Sequence, residues 1–142
     1  MAGEIKGLRE LGRKLDELSK KASGQILRKS VRYAAKPAVD AAKQSIPQGA
    51  DAHKTYKGRL VAPGFARRSI RAVTKVSRDG RSASVLLGVR REAFYAINFV
   101  ELGTSKQPAQ PWLRPALEST KDQQVSRLAE KLKMEIDKVA RK

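Results

Sequence analysis

Apolar residues recur at three- and four-residue steps in the first third of the chain, which predicts two amphipathic helices. The first stripe lies within residues 4–21 and consists of Ile5, Leu8, Leu11, Leu15 and Leu18. The second helix is expected over about residues 24–45, with Ser23 as its N-cap. Pro37 lies inside it, so the segment is either one kinked helix or two shorter helices. Because the apolar period continues past Pro37, we favour the kinked helix.

Alternating residues in the middle of the chain predict a β-hairpin. Apolar residues and Thr74 alternate with mostly polar ones over residues 70–77, and the return strand covers residues 82–89. The connection is Arg78-Asp79-Gly80-Arg81, and an Asp-Gly pair is a strong signal for a two-residue hairpin turn.

The stretch from Phe94 to Leu117 contains two of the three Phe residues, the single Trp and three of the six Pro. Because aromatic residues bury the most apolar area, we expect the core to close here. Residues 94–102 are apolar on both alternating faces, which predicts a third strand covered on both sides. Gly103 ends this strand, and a polar loop interrupted by Pro108 follows it.

A last helix is predicted over about residues 115–140 from its apolar stripe. Trp112 and Leu113 are expected to hold its start against the sheet, since proline is tolerated in a first helical turn. The predicted fold class is therefore α+β: a small antiparallel sheet of three or four strands, packed by N-terminal helices and a long C-terminal helix.

A chain of 142 residues is expected to form a single domain. Its predicted parts are a helical N-terminal part (1–45), a long loop (46–68), the sheet (69–102), a short loop (103–111) and the C-terminal helix (112–142). A connection as long as the first loop is commonly functional or disordered.

Three runs of residues resemble a signature of small phage proteins. They are Tyr95-Ala96, then Phe99-Val100-Glu101-Leu102-Gly103-Thr104, then Gln107-Pro108-Ala109-Gln110-Pro111-Trp112-Leu113-Arg114-Pro115-Ala116-Leu117. They are similar to the neck proteins of long-tailed phages, called tail-completion, tail-terminator or head–tail joining proteins. The usual motif ends in Pro-Phe-Leu-Arg-Pro-Ala; here Trp112 replaces its Phe, and Leu102 sits where Phe is common. The motif residues singled out are Tyr95, Phe99, Glu101, Gly103, Pro111, Trp112, Leu113, Arg114 and Pro115.

The same family commonly has a Gly-x-Leu-x-x-Ser-Ile pattern at the end of the connection before the hairpin. In this chain either residues 64–70 or residues 57–60 stand in that place. Both alternatives remain open from the sequence.

The resemblance implies a structural virion protein rather than an enzyme. Copies of the chain would form a ring, commonly a hexamer in this family, that terminates the tail tube and joins it to the head connector. The implied partners are identical copies, the tail-tube protein, the head connector or adaptor protein, and DNA passing through the channel. The protein would be assembled in the host cytoplasm and act in the tail or neck of the virion. The resemblance does not distinguish the tail side of this joint from the head side.

Loops held on a rigid scaffold commonly carry binding function, so two loops are candidate contact surfaces. One is the long loop, and the other contains Thr104, Ser105, Lys106, Gln107 and Pro108. The alternative for the second loop is a plain connection between strand and helix.

The chain has 31 Lys and Arg against 14 Asp and Glu, a formal net charge of +17. A protein with this excess of positive charge attracts polyanions or acidic protein surfaces and repels identical copies. The candidate basic face consists of Arg67, Arg68, Arg71, Arg90 and Arg91, for which general solubility is the alternative. The charge also supports the alternative function of a nonspecific nucleic-acid-binding protein. Against that function, only 5% of residues are aromatic, and they are not interleaved with basic residues as a stacking surface requires.

The sequence offers little for catalysis. It has no Cys, its single His53 lies in a polar loop without partners nearby, and phosphate-binding glycine loops are absent. No enzyme activity, cofactor or metal is expected. Glu101 lacks a second titrating group, so we expect a salt bridge to Arg114 instead of a general base. Apolar runs fall short of the roughly 18 residues needed to span a bilayer, so a soluble protein without membrane contact is expected.

Overall fold

The elements follow the order helix, helix, hairpin, helix, hairpin and three helices. The structure is a computed structural model that describes residues 7–48 and 51–141, apart from the side chains of residues 95 and 96. The elements are α1 (Leu8–Asp16), α2 (Lys20–Ser45), β1 (His53–Lys54), β2 (Leu60–Val61), α3 (Phe65–Ser69), β3 (Ile70–Val76), β4 (Ala83–Val89), α4 (Arg91–Leu102), α5 (Leu113–Ser119) and α6 (Lys121–Ala140). The predicted α+β class and the hairpin are confirmed. Ile5, the first residue of the predicted stripe, lies outside the described residues.

The predicted third strand is wrong, because residues 94–102 belong to helix α4. Ala93, Ile97 and Val100 lie on its inner side at helical spacing. A run that is apolar on both faces fits a doubly covered strand and a helix alike, and a length beyond the usual 4–8 residues of a strand favours the helix. The described residues therefore form two antiparallel two-stranded sheets, β1–β2 and β3–β4, instead of one sheet of three or four strands.

Helix α2 continues through Pro37 without a break, so the alternative of two shorter helices is wrong. It starts earlier than predicted, at Lys20, and the expected N-cap is wrong as well. The Oγ of Ser19 accepts a hydrogen bond from the backbone N–H of Ala22 at 3.2 Å, which is the contact that a helix cap makes. Ser23 is buried within the helix instead.

The predicted single C-terminal helix is two helices, α5 and α6, which meet at Thr120. The Oγ1 of Thr120 donates a hydrogen bond to the carbonyl oxygen of Ala116 at 2.6 Å. A side-chain bond to the preceding turn competes with the helical backbone bonds and bends or ends a helix. This contact accounts for the interruption.

The predicted long loop contains regular structure: β1 and β2 lie within residues 46–68, and α3 begins there and ends at Ser69. Lys54 is opposite Leu60 in the β1–β2 pair. Glu92, in the first turn of α4, accepts a hydrogen bond from the Oγ1 of Thr55 at 2.7 Å and pairs with Arg59 at 3.0 Å. These side-chain bonds hold the hairpin to α4, and hydropathy periodicity carries no signal for them.

The chain forms two compact units. Among the described residues, unit 1 comprises residues 7–36, 73–86 and 122–141, and unit 2 comprises residues 37–48, 51–72 and 87–121. Both α2 and the β3–β4 hairpin therefore contribute residues to each unit. The buried core of unit 1 is Ile26, Leu132 and Ile136. Half-buried residues of α1, α2, α6 and the connection between α1 and α2 pack around it: Leu8, Leu11, Leu15, Leu18, Leu27, Leu128 and Val139.

In unit 1 the tip of the β3–β4 hairpin packs on the first turns of α2. Gly80 has a φ of +69°, and a Cβ at this position would lie 2.4 Å from the carbonyl oxygen of Lys20. Only glycine fits this approach. The Oγ of Ser23 donates a hydrogen bond to the carbonyl oxygen of Gly80 at 3.0 Å, which fixes the tip against the helix.

A buried carboxylate, Glu135, lies on α6 with three lysines around it. It is 3.1 Å from Lys131, 3.4 Å from Lys138 and 3.7 Å from Lys29. The hydrogen bond from Lys131, followed by that from Lys138, holds the pKa of Glu135 below its ordinary value although burial acts in the opposite direction. The ionised carboxylate therefore stabilises unit 1.

Replacing this residue, Glu135→Gln, is expected to lower the free energy of unfolding by about 1–2 kcal/mol at pH 7. The pKa of Glu135 is lower in the folded chain, so its contribution is complete above about pH 4.5 and is lost as the pH falls through the folded-state pKa. The difference between variant and wild type, measured by urea unfolding, should shrink below about pH 4.5. Glu130→Gln, an exposed position on α6, is the control. A difference that stays constant down to pH 3 would contradict this account.

The core of unit 2 is built around Trp112, which is only 3% exposed and contacts α2, β3, α4 and α5 side chains. Its buried neighbours are Ala42, Ile46, Ile70, Ile97 and Ala116. The expected burial of Trp112 is confirmed. Its indole N–H has no hydrogen-bond partner within the described residues, so Trp112 stabilises the unit by apolar contact.

We expect Trp112→Ala to lower the free energy of unfolding by about 3–5 kcal/mol, because it removes a large buried side chain and leaves a cavity. Trp112→Phe should cost only about 1–2 kcal/mol, since no hydrogen bond is lost. Urea unfolding followed by circular dichroism measures both values. Equal losses for the two variants would show that the indole ring is not held by packing.

Candidate assembly surface

The carboxylate of Glu101 joins the end of α4 to the start of α5. It accepts hydrogen bonds from three successive backbone N–H groups: Trp112 at 2.6 Å, Leu113 at 3.1 Å and Arg114 at 3.4 Å. The first N–H groups of a helix have no partner within the helix, and a negative charge there is favourable. Glu101 therefore caps α5 from a neighbouring helix.

This contact corrects the expected salt bridge between Glu101 and Arg114. The structure pairs Glu101 with the backbone of Arg114, whose side chain is exposed, and among the described residues no arginine side chain pairs with this carboxylate. The sequence signal for such a cap is an acidic residue at the end of one element, followed by a helix whose start contains proline. We expected an ion pair because Arg114 is the nearest cation in the motif.

The loop between α4 and α5 is exposed but closely held at its ends. Gly103 has a φ of +77°, and a Cβ there would lie 2.7 Å from the backbone nitrogen of Ala109, so glycine is required. The N–H of Gln110 donates to the carbonyl of Val100 at 2.8 Å, and Thr104 and Gln107 form a bridge. Residues 104–111 are all exposed. The loop is thus presented to solvent on a fixed base, and its role as an interface remains a prediction.

Three large apolar side chains of α4 are exposed, and the last of them, Leu102, is at the end of the helix that leads into this loop. Phe94 is 49% exposed, Phe99 56% and Leu102 69%. The core does include Ile97, Trp112 and Ala116 of the stretch from Phe94 to Leu117. The two Phe residues of that stretch do not contribute to it, because the helix turns its Ala93, Ile97 and Val100 side inward. The side chain of the remaining motif aromatic, Tyr95, lies outside the described residues.

Exposed apolar groups of this size on one helix face are typical of a protein–protein contact surface. We call the exposed α4 residues and residues 104–108 the assembly surface: Phe94, Phe99, Leu102, Thr104, Ser105, Lys106, Gln107 and Pro108. Sequence periodicity shows that α4 is apolar, but which of its sides is covered depends on neighbours distant in the chain.

The candidate basic face divides into two kinds of residue, all exposed. Arg67 donates to the carbonyl of Lys43 at 2.5 Å, and Arg68 donates to the carbonyls of Pro63 at 2.9 Å and Ala62 at 3.2 Å. These two arginines therefore help to hold α3. The other three, Arg71, Arg90 and Arg91, make no ion pair with the described carboxylates.

The described residues show no group of three His, Cys, Asp or Glu side chains that could hold a metal ion. His53 is exposed on β1. A cavity of about 500 Å³ in unit 2 includes His53 and Glu92 among its lining residues, but Glu92 is already bonded to Thr55 and Arg59. Within residues 7–48 and 51–141, no helix has the length and hydropathy that crossing a bilayer requires.

A comparison with protein-family models gives a match over residues 9–103, about two thirds of the chain, to the HK97-gp10-like family. The chain belongs to this family of bacteriophage tail components. The matched range includes α1 to α4, Glu101 and Gly103. The HK97-gp10-like chain is thus a structural protein of a phage tail and not an enzyme, as the signature around Glu101 indicated. Neither the curated proteins nor the solved structures contain a significant match.

Removing the cap by Glu101→Ala should lower the free energy of unfolding by about 1–2 kcal/mol, because three backbone N–H groups, two of them partly buried, lose their acceptor. The amides of Trp112, Leu113 and Arg114 should exchange faster with deuterium. Glu118→Ala, an exposed acid on α5, is the matched control. Unchanged exchange at these three amides would contradict the capping role.

Proposed function

We propose that this HK97-gp10-like protein forms a ring of identical subunits at the neck of the phage, ending the tail tube and joining it to the head connector. The observation that carries the proposal is the assembly surface. Large apolar side chains of α4 are exposed next to a loop whose base is fixed by Gly103 and by the cap on α5. A rigid surface of this kind loses little conformational entropy when it binds.

Membership in a tail-component family supports contacts with other tail proteins. The ring is proposed as a hexamer, and its partners as the tail-tube protein and the connector or adaptor protein of the head. A subunit with a formal charge of +17 repels its copies, so association in solution should be weak. Acidic surfaces on the tube or connector would offset this repulsion, and the ring should therefore form on its partner.

The alternative function is nonspecific binding of nucleic acid. It rests on the formal net charge of +17 alone. This activity does not require a ring, and particle mass measured with and without the tube protein separates the two functions.

The double variant Phe99→Ser/Leu102→Ser tests the ring proposal. Burying these side chains contributes about 1.5–3 kcal/mol each, so each interface should weaken by at least about 100-fold. In a mixture with the tail-tube protein, mass photometry should show capped particles for wild type and not for the variant. The control is Leu60→Ser/Leu86→Ser, since these side chains are 67% and 54% exposed and match the tested pair. Equal capping by the wild type and the α4 variant would overturn the proposal.

A further inference from the structure

A groove of about 400 Å³ in unit 1 lies where the hairpin tip packs on α2. Its cationic lining residues are Lys20, Lys21 and Arg28 of α2 and Arg78 of the hairpin turn. The close approach of Gly24 to the hairpin, with its Cβ position 3.5 Å from Val76 and 3.8 Å from Gly80, brings these two elements together. None of the lining residues is acidic, and all four cations are exposed.

These four cations are not neutralised, unlike Lys29, Lys131 and Lys138 of the same unit. Within residues 7–48 and 51–141, no carboxylate forms an ion pair with any of the four. The nearby Asp79 is bonded within the turn, where it accepts from the Oγ of Ser77 and from the N–H of Arg81 at 3.0 Å. The lysines around Glu135 provide the contrast, since one carboxylate there pairs with three of them.

The row of cations continues along one side of α2. Lys21, Arg28 and Arg32 follow at steps of seven and four residues, and all are exposed. The rise of 1.5 Å per residue makes this row about 16 Å long, which corresponds to roughly five nucleotides of one strand at 3.4 Å each. An unbroken row of negative charge is a property of a phosphodiester backbone, whereas in proteins it is typical of disordered acidic tails.

We propose that this groove and the adjoining row on α2 bind the phosphate backbone of double-stranded DNA without sequence preference. Arginine and lysine supply the donors that phosphate groups accept. The lining of the groove contains no aromatic residue, which disfavours the base stacking that single strands use. The groove shares no residue with the assembly surface, which belongs to unit 2, so its binding can be tested independently of ring formation.

The test compares binding of a fluorescein-labelled 20-base-pair DNA duplex by anisotropy between 50 and 200 mM salt. Lys21→Gln/Arg28→Gln/Arg78→Gln should bind at least tenfold more weakly at 50 mM salt. Its slope of log affinity against log salt should be smaller by about 0.9 for each cation that contacts a phosphate. The control, Arg71→Gln/Arg90→Gln/Arg91→Gln, removes the same net charge from exposed arginines of the candidate basic face and should stay within about threefold of wild type.

Three outcomes would overturn the proposal. Equal losses in the two triple variants would mean that net charge alone governs binding, and a larger loss in the control would assign DNA to the other face. Displacement of the duplex by poly-glutamate at equal charge would indicate an acidic protein partner. Tighter binding of single-stranded DNA than of the duplex would contradict the proposal that the groove binds double-stranded DNA.

Stability and assembly controls keep this result distinct from the ring proposal. The single variants Arg28→Gln and Arg78→Gln provide the same salt-slope test if the triple variant does not fold. The groove variant should still cap tail tubes, whereas Phe99→Ser/Leu102→Ser should still bind duplex. Loss of capping in the groove variant would place the groove in a protein contact and overturn the DNA assignment.

Discussion

The bond between the carboxylate of Glu101 and the first amides of α5 fixes the base of the loop in the assembly surface. It fixes the end of α4 relative to the start of α5, and Trp112, the residue at that start, is buried in the core of unit 2. The loop between the two helices must therefore connect two fixed ends, and the positive φ of Gly103 permits the sharp turn at its start. The fixed base of the exposed loop at residues 104–108 follows from this contact, whereas the outer side of α4 is exposed because its inner side packs in the core of unit 2.

The unit that carries this contact also has opposing surface properties. Phe99 and Leu102 favour association because they are apolar and exposed, while Arg71, Arg90 and Arg91 oppose the approach of another cationic subunit. On the proposed function, a tail component with both properties should stay dispersed until it meets an acidic surface on its partner. Association is then directed by electrostatics and stabilised by apolar burial, which are separate physical contributions.

The sequence predicted the structure correctly where a local pattern is compatible with only one conformation. The leucine stripe of α1, the Asp-Gly turn at residues 79–80 and the passage of α2 through Pro37 follow from periodicity and backbone preference. The burial of Trp112 followed from its size. Residues 94–102 were ambiguous, since an element that is apolar all round satisfies the pattern of a covered strand and of a helix. The break at Thr120 depends on the hydrogen bond of one hydroxyl group, and a hydropathy pattern does not show hydrogen bonds.

By itself, the sequence determined that this chain is a cationic α+β protein with the signature of a phage tail component, because these follow from residue content, turn residues and short motifs. Tertiary structure decided how those residues are used. Phe94 and Phe99 face solvent and Glu101 binds backbone amides, because burial and hydrogen bonding depend on which distant residues occupy the neighbouring space. The same reason explains the cationic groove: Arg28 and Arg78 are 50 positions apart in sequence and line one surface only after the hairpin tip packs on α2.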